Sequence, residues 1–355
     1  MKMTVRKLAE LAGVSPSTVS RALNDSPLIR EETKAAIGKL VAEHGAPSVR
    51  TGRPASSFPL PVGCVIANPV GTLDSDQFFS GVLGGAITYL KRHNRQLLVE
   101  DVAGTPSPDQ LPAIFAKGQV AGVIVGGIPI SDSFIHALIA RGLPTVFIGK
   151  YLDGSRALTS IIPDNLAGGE LAGRHLLECG YTEFVFLGGS LDIQTFRDRL
   201  EGFRHALREG GKKLAAEGIY VAGIDQKGGY QAMARALERL GSHRLKREGN
   251  LDSRRVGVFA STDWMAAGAL RALAEAGIAV PGCVGVVGYS DLELASHLYP
   301  SLTTVRVDRV SLGFLAARSL LDLVEKRVSR AVQIYIQPEL IVRESTGAWD
   351  TNETN

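Results

Sequence analysis

The chain has 355 residues, 45% hydrophobic and 21% charged, which excludes a disordered or fibrous protein and leaves length for two or three domains. Its net charge of +3 is uneven: residues 1–53 carry nine lysines and arginines against five acidic residues, while the remainder carries 30 against 31. A small polyanion-binding head on a nearly neutral body is the expectation.

The start, Met1-Lys2-Met3-Thr4-Val5-Arg6-Lys7, leads into a mixed polar and apolar segment and not the apolar core of a secretory signal. The longest mainly apolar run, Val120 to Ile130, falls short of the roughly 20 residues that span a bilayer, so a cytoplasmic protein is expected. Cys64, Cys179 and Cys283 are far apart in apolar stretches and read as buried thiols, not disulfides or metal ligands.

Residues 4 to 44 read as three short helices. Val5, Leu8, Ala9 and Ala12 make one apolar face after a Thr4 N-cap, and Gly13 ends it. Ser15 and Pro16 supply an N-cap and first-turn proline for a second helix through Leu23. A third runs from about Glu31 to His44, with Ile37, Leu40 and Val41 inward and Glu31 and Glu32 at its positive end. Helix, tight turn, helix suits DNA when the second helix exposes short polar side chains and an arginine, as Ser17, Ser20 and Arg21 do. The pattern alone fits a three-helix interaction module as well.

The string Ala12 to Asp25, AGVSPSTVSRALND, resembles the head of the lactose/galactose repressor (LacI/GalR) family of bacterial transcription regulators. The resemblance implies that Thr4, Ser15, Thr18, Ser20 and Asn24 touch mainly phosphates, while Pro16, Ser17 and Arg21 face bases in the major groove. Arg30 stands where the family usually has a serine N-cap for the third helix.

Between Gly45 and Pro61, prolines at 47, 54, 59 and 61 forbid a long helix and mark a linker. In the resembled family this segment forms a hinge helix whose leucine wedges into the minor groove. Here Pro54 or Ala55 falls at that place, so intercalation is not expected. Arg50-Thr51-Gly52-Arg53-Pro54 is either a basic element for a narrow minor groove or a flexible tether whose arginines, Arg50 and Arg53, attract phosphates.

From Val62 short apolar runs alternate with amphipathic segments. Strands are expected at Val62–Ala67, Gln96–Val102, Ala121–Val125 and Thr145–Gly149, with helices at Phe78–His93, Pro108–Lys117 and Ser133–Arg141. A second series has strands near Phe184–Leu187, Gly218–Val221, Val256–Phe259 and Val284–Gly288 and helices at Leu166–Cys179, Arg197–Arg208, Tyr230–Leu240 and Trp264–Ala276. A helix at Val310–Lys326, a strand at Val332–Ile336 and the run 339–343 imply two α/β lobes between which the chain crosses more than once. The segment Ser242–Arg255 reads as a solvated basic excursion. Ligands of such sheets bind beyond the carboxyl ends of the strands, so the cleft between lobes is the expected site.

Four stretches in order make this body similar to the periplasmic-binding-protein-like core of the same family. They are Pro163 to Gly168, Asp198 to Phe203, Ser261 to Ala266, and Val287 to Asp291 followed by Pro300 to Val305. The implied division is a helix-turn-helix head at 1–46, a linker at 47–61, a two-lobed core of parallel sheets at 62–345 and a polar tail at 346–355. The family implies a sugar, polyol or nucleobase between the lobes. Matching positions are Asp76, Phe78, Phe79, Lys150, Arg199, Ile224, Thr262, Ser290 and Asp291. One of the two phenylalanines is expected to face the ligand and the alternative is core packing; for Arg199 the alternative is a surface ion pair. Thr262, Ser290 and Ile224 differ from common family choices, and with Lys150 and Arg199 retained the cleft is relatively cationic. A neutral sugar or polyol and an acidic or phosphorylated derivative both remain open.

No GxGxxG follows the first strand, and there is no GxxxxGK[ST], HExxH or GxSxG. The expectation is a ligand-controlled transcription regulator, most simply a repressor, that needs no cofactor or metal. It should bind a palindromic DNA operator as a homodimer. A cytoplasmic sugar-binding or sugar-converting protein without specific DNA binding is the rival.

Overall fold

The computed structural model describes residues 4–23, 26, 29–44, 59–68, 77–103, 113–115, 118–127, 130–149, 152–153, 156–241 and 255–347. The chain divides into two compact units, Met1–Pro59 and Leu60–Asn355. In the first, α1 (Val5–Ala12), α2 (Pro16–Leu23) and α3 (Glu31–His44) close around Leu8, Ala9, Val19 and Ile37, with Leu40 and Val41 packed against them. Gly13 stops α1 by taking a φ of 64°, a left-handed conformation that costs a glycine little.

The second unit begins with β1 (Val62–Asn68), α4 (Gln77–Arg92), β2 (Leu97–Ala103), β3 (Val123–Gly127), α5 (Asp132–Ala140) and β4 (Thr145–Ile148). A small hairpin of β5 (Leu152–Asp153) and β6 (Arg156–Ala157) precedes β7 (Ser160–Pro163). The chain then builds a second lobe from α6 (Asn165–Glu178), β8 (Glu183–Gly188), α7 (Gln194–Glu209), β9 (Ile219–Val221), α8 (Gln226–Leu240) and β10 (Val256–Ala260). This lobe continues through α9 (Asp263–Glu275), β11 (Val284–Ser290), α10 (Leu294–His297) and β12 (Thr303–Arg306). It returns to the first lobe for α11 (Arg309–Val324) and β13 (Gln333–Ile336), and ends in the second with β14 (Glu339–Ile341).

One sheet runs β13-β7-β4-β3-β1-β2, all parallel, and the other β14-β12-β11-β10-β8-β9, antiparallel only between β12 and β14. The inner strands β1, β3, β10 and β11 are covered on both faces and mainly apolar, so period two only decides which side a residue enters, while the edge strand β2 carries Glu100 and Asp101. Ile124 of β3 packs on the face of α4 and α11, while Val123 and Val125 join Phe134 and Leu138 of α5. Phe184 and Phe186 of β8 meet Phe203 of α7, while Val185 and Leu187 meet Met233 of α8 and Met265 of α9.

Several features differ from the sequence expectation. Strands β7 and β12, the β5–β6 hairpin and the short α10 were not anticipated; Ser160-Ile161-Ile162-Pro163 is short and ends in proline. Of the helix expected over Pro108–Lys117, only Ala113–Phe115 lies within the described residues, and it forms one 3-10 turn. Arg255, taken as the end of a solvated excursion, is buried, donates to the Cys179 carbonyl at 2.7 Å and lies 4.4 Å from the Tyr181 ring centroid. The rest of that excursion lies outside the described residues.

Helix pairs within the lobes meet at reciprocal glycine contacts. A Cβ on Gly85 of α4 would stand 1.9 Å from the Val310 carbonyl oxygen, and one on Gly313 of α11 would stand 1.7 Å from that of Val82. Gly169 of α6 and Gly202 of α7 repeat the arrangement, at 2.1 Å from the Arg199 oxygen and 1.9 Å from the Leu166 oxygen. Here glycine permits backbone-to-backbone approach that no side chain allows.

The three passages between lobes, at Pro163–Asn165, Arg306–Arg309 and Ile336–Glu339, are joined by polar side chains. Asp164 donates its N–H to the Ile336 carbonyl at 2.9 Å, caps α6 by accepting from Ala167 N at 3.0 Å, and accepts from Gln337 Nε2 at 3.1 Å. Asp291 accepts from Arg306 Nε and from Arg343 Nη2, each at 2.7 Å. Arg309 donates to the Asp291 carbonyl at 3.2 Å and to the Gln77 carbonyl in the other lobe at 2.9 Å. Burial opposes ionisation of Asp291, but the hydrogen bonds from Arg306 and Arg343 outweigh it and hold its pKa below the usual carboxylate value. Nearby Asp263 is fully buried, accepting from Thr304 Oγ1 at 2.6 Å and Leu292 N at 2.7 Å.

Gly85→Ala should destabilise by about 3 kcal/mol or more, since overpacking against backbone leaves nothing to repack, whereas Gly84→Ala, open on its helix face, should stabilise by about 0.5–1 kcal/mol. Urea unfolding of both variants checks this pair. Burial pushes the Asp263 carboxyl from its usual 3.8 up to about 6. The folded chain therefore keeps a proton that the unfolded chain releases, and the Asp263 contribution to stability falls as pH climbs from about 4 to about 6, then levels off. The stability of wild type minus that of Asp263→Asn should shrink over this interval; a difference that grows would reject the sign.

Candidate functional site

In the head, Ser15 Oγ accepts from Thr18 N at 3.1 Å and lies 2.7 Å from Ser17 Oγ and 2.9 Å from Thr18 Oγ1, fixing the start of α2. Val19, Ala22 and Leu23 turn into the core. Pro16, Ser17, Ser20 and Arg21 are therefore left as one exposed stripe at i, i+1, i+4 and i+5, the spacing of a single helix face. Thr18 is half-buried beside them. Thr4 is exposed at the start of α1, where its hydroxyl accepts from Lys7 N at 3.3 Å. Asn24, Arg50 and Arg53 lie outside the described residues.

In the larger unit, the carboxyl ends of β7, β10 and β11 converge on Arg199. This side chain, 6% exposed, rises from α7 and donates through Nε to Asn165 Oδ1 at 2.9 Å and through Nη1 to the Ser261 carbonyl. Its guanidinium carbon stands 3.6 Å from the Tyr289 ring centroid, a cation–π arrangement, and Tyr289 Oη donates to the same Asn165 oxygen at 3.2 Å. Burial lowers the Arg199 pKa and raises that of Tyr289. Arg199 is thus a buried cation, not the surface ion-pair residue of the alternative reading.

The other nominated residues separate by environment. Phe79 is buried in the core with its ring against Gly126, while Phe78 is half-buried and packs edge-to-face on it at 5.3 Å. Thr262 caps α9 by accepting from Met265 N at 3.1 Å and donates to the Ile224 carbonyl at 2.9 Å, so its hydroxyl is committed to the scaffold. The Ile224 side chain is half-buried against Gly189. Ser290 and Asp291 close β11 with φ of 118° and 51°, conformations rare outside glycine that turn the chain sharply at the strand end. Both carboxylate oxygens of Asp291 face arginines. Asp76 and Lys150 lie outside the described residues.

Asn165, Ser261 and Tyr289 were not singled out from the sequence, although each falls within a quoted stretch. Tyr289 carried one signal, an aromatic hydroxyl in an otherwise apolar strand, and such a group is buried only with a partner. Arg306, Arg309 and Arg343 carried none. Among the described residues no group of histidines, cysteines or carboxylates could hold a metal ion, and no helix is long and apolar enough to cross a membrane.

Residues 4–45 match the model described as bacterial regulatory proteins, lacI family, and residues 174–346 match the periplasmic binding protein-like domain. Among curated proteins, the chain is 28% identical to the HTH-type transcriptional regulator CelR of Thermobifida fusca over 96% of this chain and 98% of that one. It is 29% identical to the HTH-type transcriptional regulator GalS of Salmonella typhimurium over 99% and 98%. Among solved structures it resembles a transcriptional regulator CelR–cellobiose complex, with a TM-score of 0.72, 26% identity and coverage of 97% and 100%. The lac repressor dimer bound to operator and an anti-inducer shares the fold, with a TM-score of 0.68, 23% identity and coverage of 98% and 99%. With a head and a core of this kind in one chain, and relatives of that kind along its whole length, the protein belongs to the LacI family of bacterial regulatory proteins.

Proposed function

We propose that this chain is a cytoplasmic, sequence-specific repressor that binds a palindromic operator as a homodimer, its grip on DNA set by a small sugar-like effector between the lobes of its core. The observation that carries DNA recognition is the exposed stripe of Pro16, Ser17, Ser20 and Arg21, which the head's packing leaves outside its own core. An arginine there can donate two hydrogen bonds to the edge of a guanine, and short hydroxyl side chains fit beside it. Thr4, Ser15, Thr18 and Asn24 serve the phosphates, and Arg50 and Arg53 add attraction from the linker.

The effector site is assigned to the carboxyl ends of the strands, with Arg199 as its principal donor, Phe78 as its apolar wall, and Ser290, Asp76 and Lys150 around it. The CelR–cellobiose complex, in a relative with 26% identity, supports a sugar as the class of effector. CelR and GalS, to which the chain is similar, are named transcriptional regulators, which favours regulation over catalysis. Effector contact at Arg199 bears on Asn165 and Ser261, which start α6 and precede α9, so it biases how the lobes sit on the three passages between them. Coupling of about 1–3 kcal/mol between effector and operator is the expected scale, and it acts in both directions.

In fluorescence anisotropy of the full chain on its own promoter DNA, Arg21→Ala should weaken specific binding by about tenfold or more with effector affinity unchanged. A chain lacking residues 1–59 should bind no DNA. A wild-type chain that holds its own promoter no better than an unrelated duplex of equal length would refute the assignment.

A further inference from the structure

The polar groups at the strand ends are unequally satisfied. Thr262 spends its hydroxyl on Met265 N and the Ile224 carbonyl, and Asp291 spends both carboxylate oxygens on Arg306 and Arg343. Asp263 is closed off by Thr304 and Leu292 N. Among the described residues, two of the groups expected to meet sugar hydroxyls, Thr262 and Asp291, are thus engaged by the scaffold. Arg199 is the opposite case. Two of its five N–H donors go to neutral acceptors, the Asn165 side chain and the Ser261 carbonyl, and its other partners are neutral too: the hydroxyl and ring of Tyr289 and the ring of Phe196. Among the described residues no carboxylate pairs with it; Asp198 and Asp263 act on it only through space.

A guanidinium 6% exposed without a counter-ion is expensive to hold, and a cation–π contact repays only part of that cost. Charge of the opposite sign brought by a ligand removes the deficit, and the guanidinium fork fits the planar pair of oxygens of a carboxylate or the oxygens of a phosphate.

We propose that the effector is an anionic sugar derivative, a sugar acid or sugar phosphate, whose charged group pairs with Arg199. The inference rests on the reading of the core as a sugar-effector site and narrows it by charge. The anion completes an ion pair that the folded chain leaves open, whereas a neutral sugar brings only hydroxyls, which leave the guanidinium without a counter-charge.

Isothermal titration calorimetry on the full-length chain tests this with matched probes: glucose, galactose and mannose, the uronic acid of each, and the 6-phosphate of each, with cellobiose as a neutral disaccharide. At least one charged probe should bind about tenfold or more tighter than its neutral counterpart, and uronate against phosphate identifies the anion. Arg199→Lys should retain part of that preference and Arg199→Gln should lose it, with thermal unfolding checking that both variants fold. The wild-type comparison stands even where a variant does not fold. Neutral sugars binding as tightly as their acids and phosphates would overturn the anionic assignment and leave the sugar-effector reading intact. Silence from every probe would count against the sugar reading itself, and the anionic proposal would fall with it. A charge preference that survives in folded Arg199→Gln would remove Arg199 as the partner.

Discussion

The ion pairs that Asp291 makes with Arg306 and Arg343 are the constraint on which the two-lobed arrangement depends. One arginine closes β12, just before the chain leaves the second lobe, and the other follows β14, just after the chain returns. A single carboxylate therefore clamps two of the three passages, and Asp164 ties the remaining one to the third through Ile336 and Gln337. Arg309 extends the clamp by holding the backbone of Asp291 and that of Gln77 together across the lobes. The two pairs differ in exposure: Arg343 is 19% exposed and shielded with Asp291, whereas Arg306 is 45% exposed, so its pair is nearer to the surface pairs whose median worth is only about 0–1 kcal/mol.

Within each lobe the glycine contacts leave little slack, because helix backbones already touch. Any change in how the lobes sit is thus left to the passages, whose contacts are made by side chains and not by close-packed helix backbone. The Arg199 cluster draws on three segments of the second lobe near this joint: the start of α6, the end of β10 and the strand β11. Arg199 is in that way close to the passages between the lobes, so the effector contact proposed there would need no longer path to lobe orientation.

Most of the architecture was legible in the residues. Alternation and length separated strands from helices from Val62 onward, and the capping residues of α1 and α2 located the head helices to within a residue. Strand β7 escaped because four residues ending in proline give no periodic signal, and it is held between β4, close by in sequence, and β13, far along the chain. Side-chain roles were less legible than backbone. Arg255 sits at the end of a basic stretch, and its burial follows from the Cys179 and Gly347 carbonyls and the Tyr181 ring, all far away in sequence. Asp291 and Thr262 occupy ligand positions by resemblance, yet the acceptors they offer are already engaged, which depends on arginines and carbonyls whose approach no local pattern announces. Arg199 was legible as an important arginine, but its lack of a counter-ion was not.

The reciprocal contacts of Gly85 with Val310 and Gly313 with Val82 bear on how this protein can drift over evolutionary time. A methyl group added at either place collides with main-chain oxygen, and main chain is the same whatever residue stands opposite. Compensation by changing the opposing residue, the usual route by which a damaged interior is repaired, is closed at these seams. Selection for recovered function after such a lesion should return the original codon or alter distant positions that raise global stability, and it should not find a local suppressor.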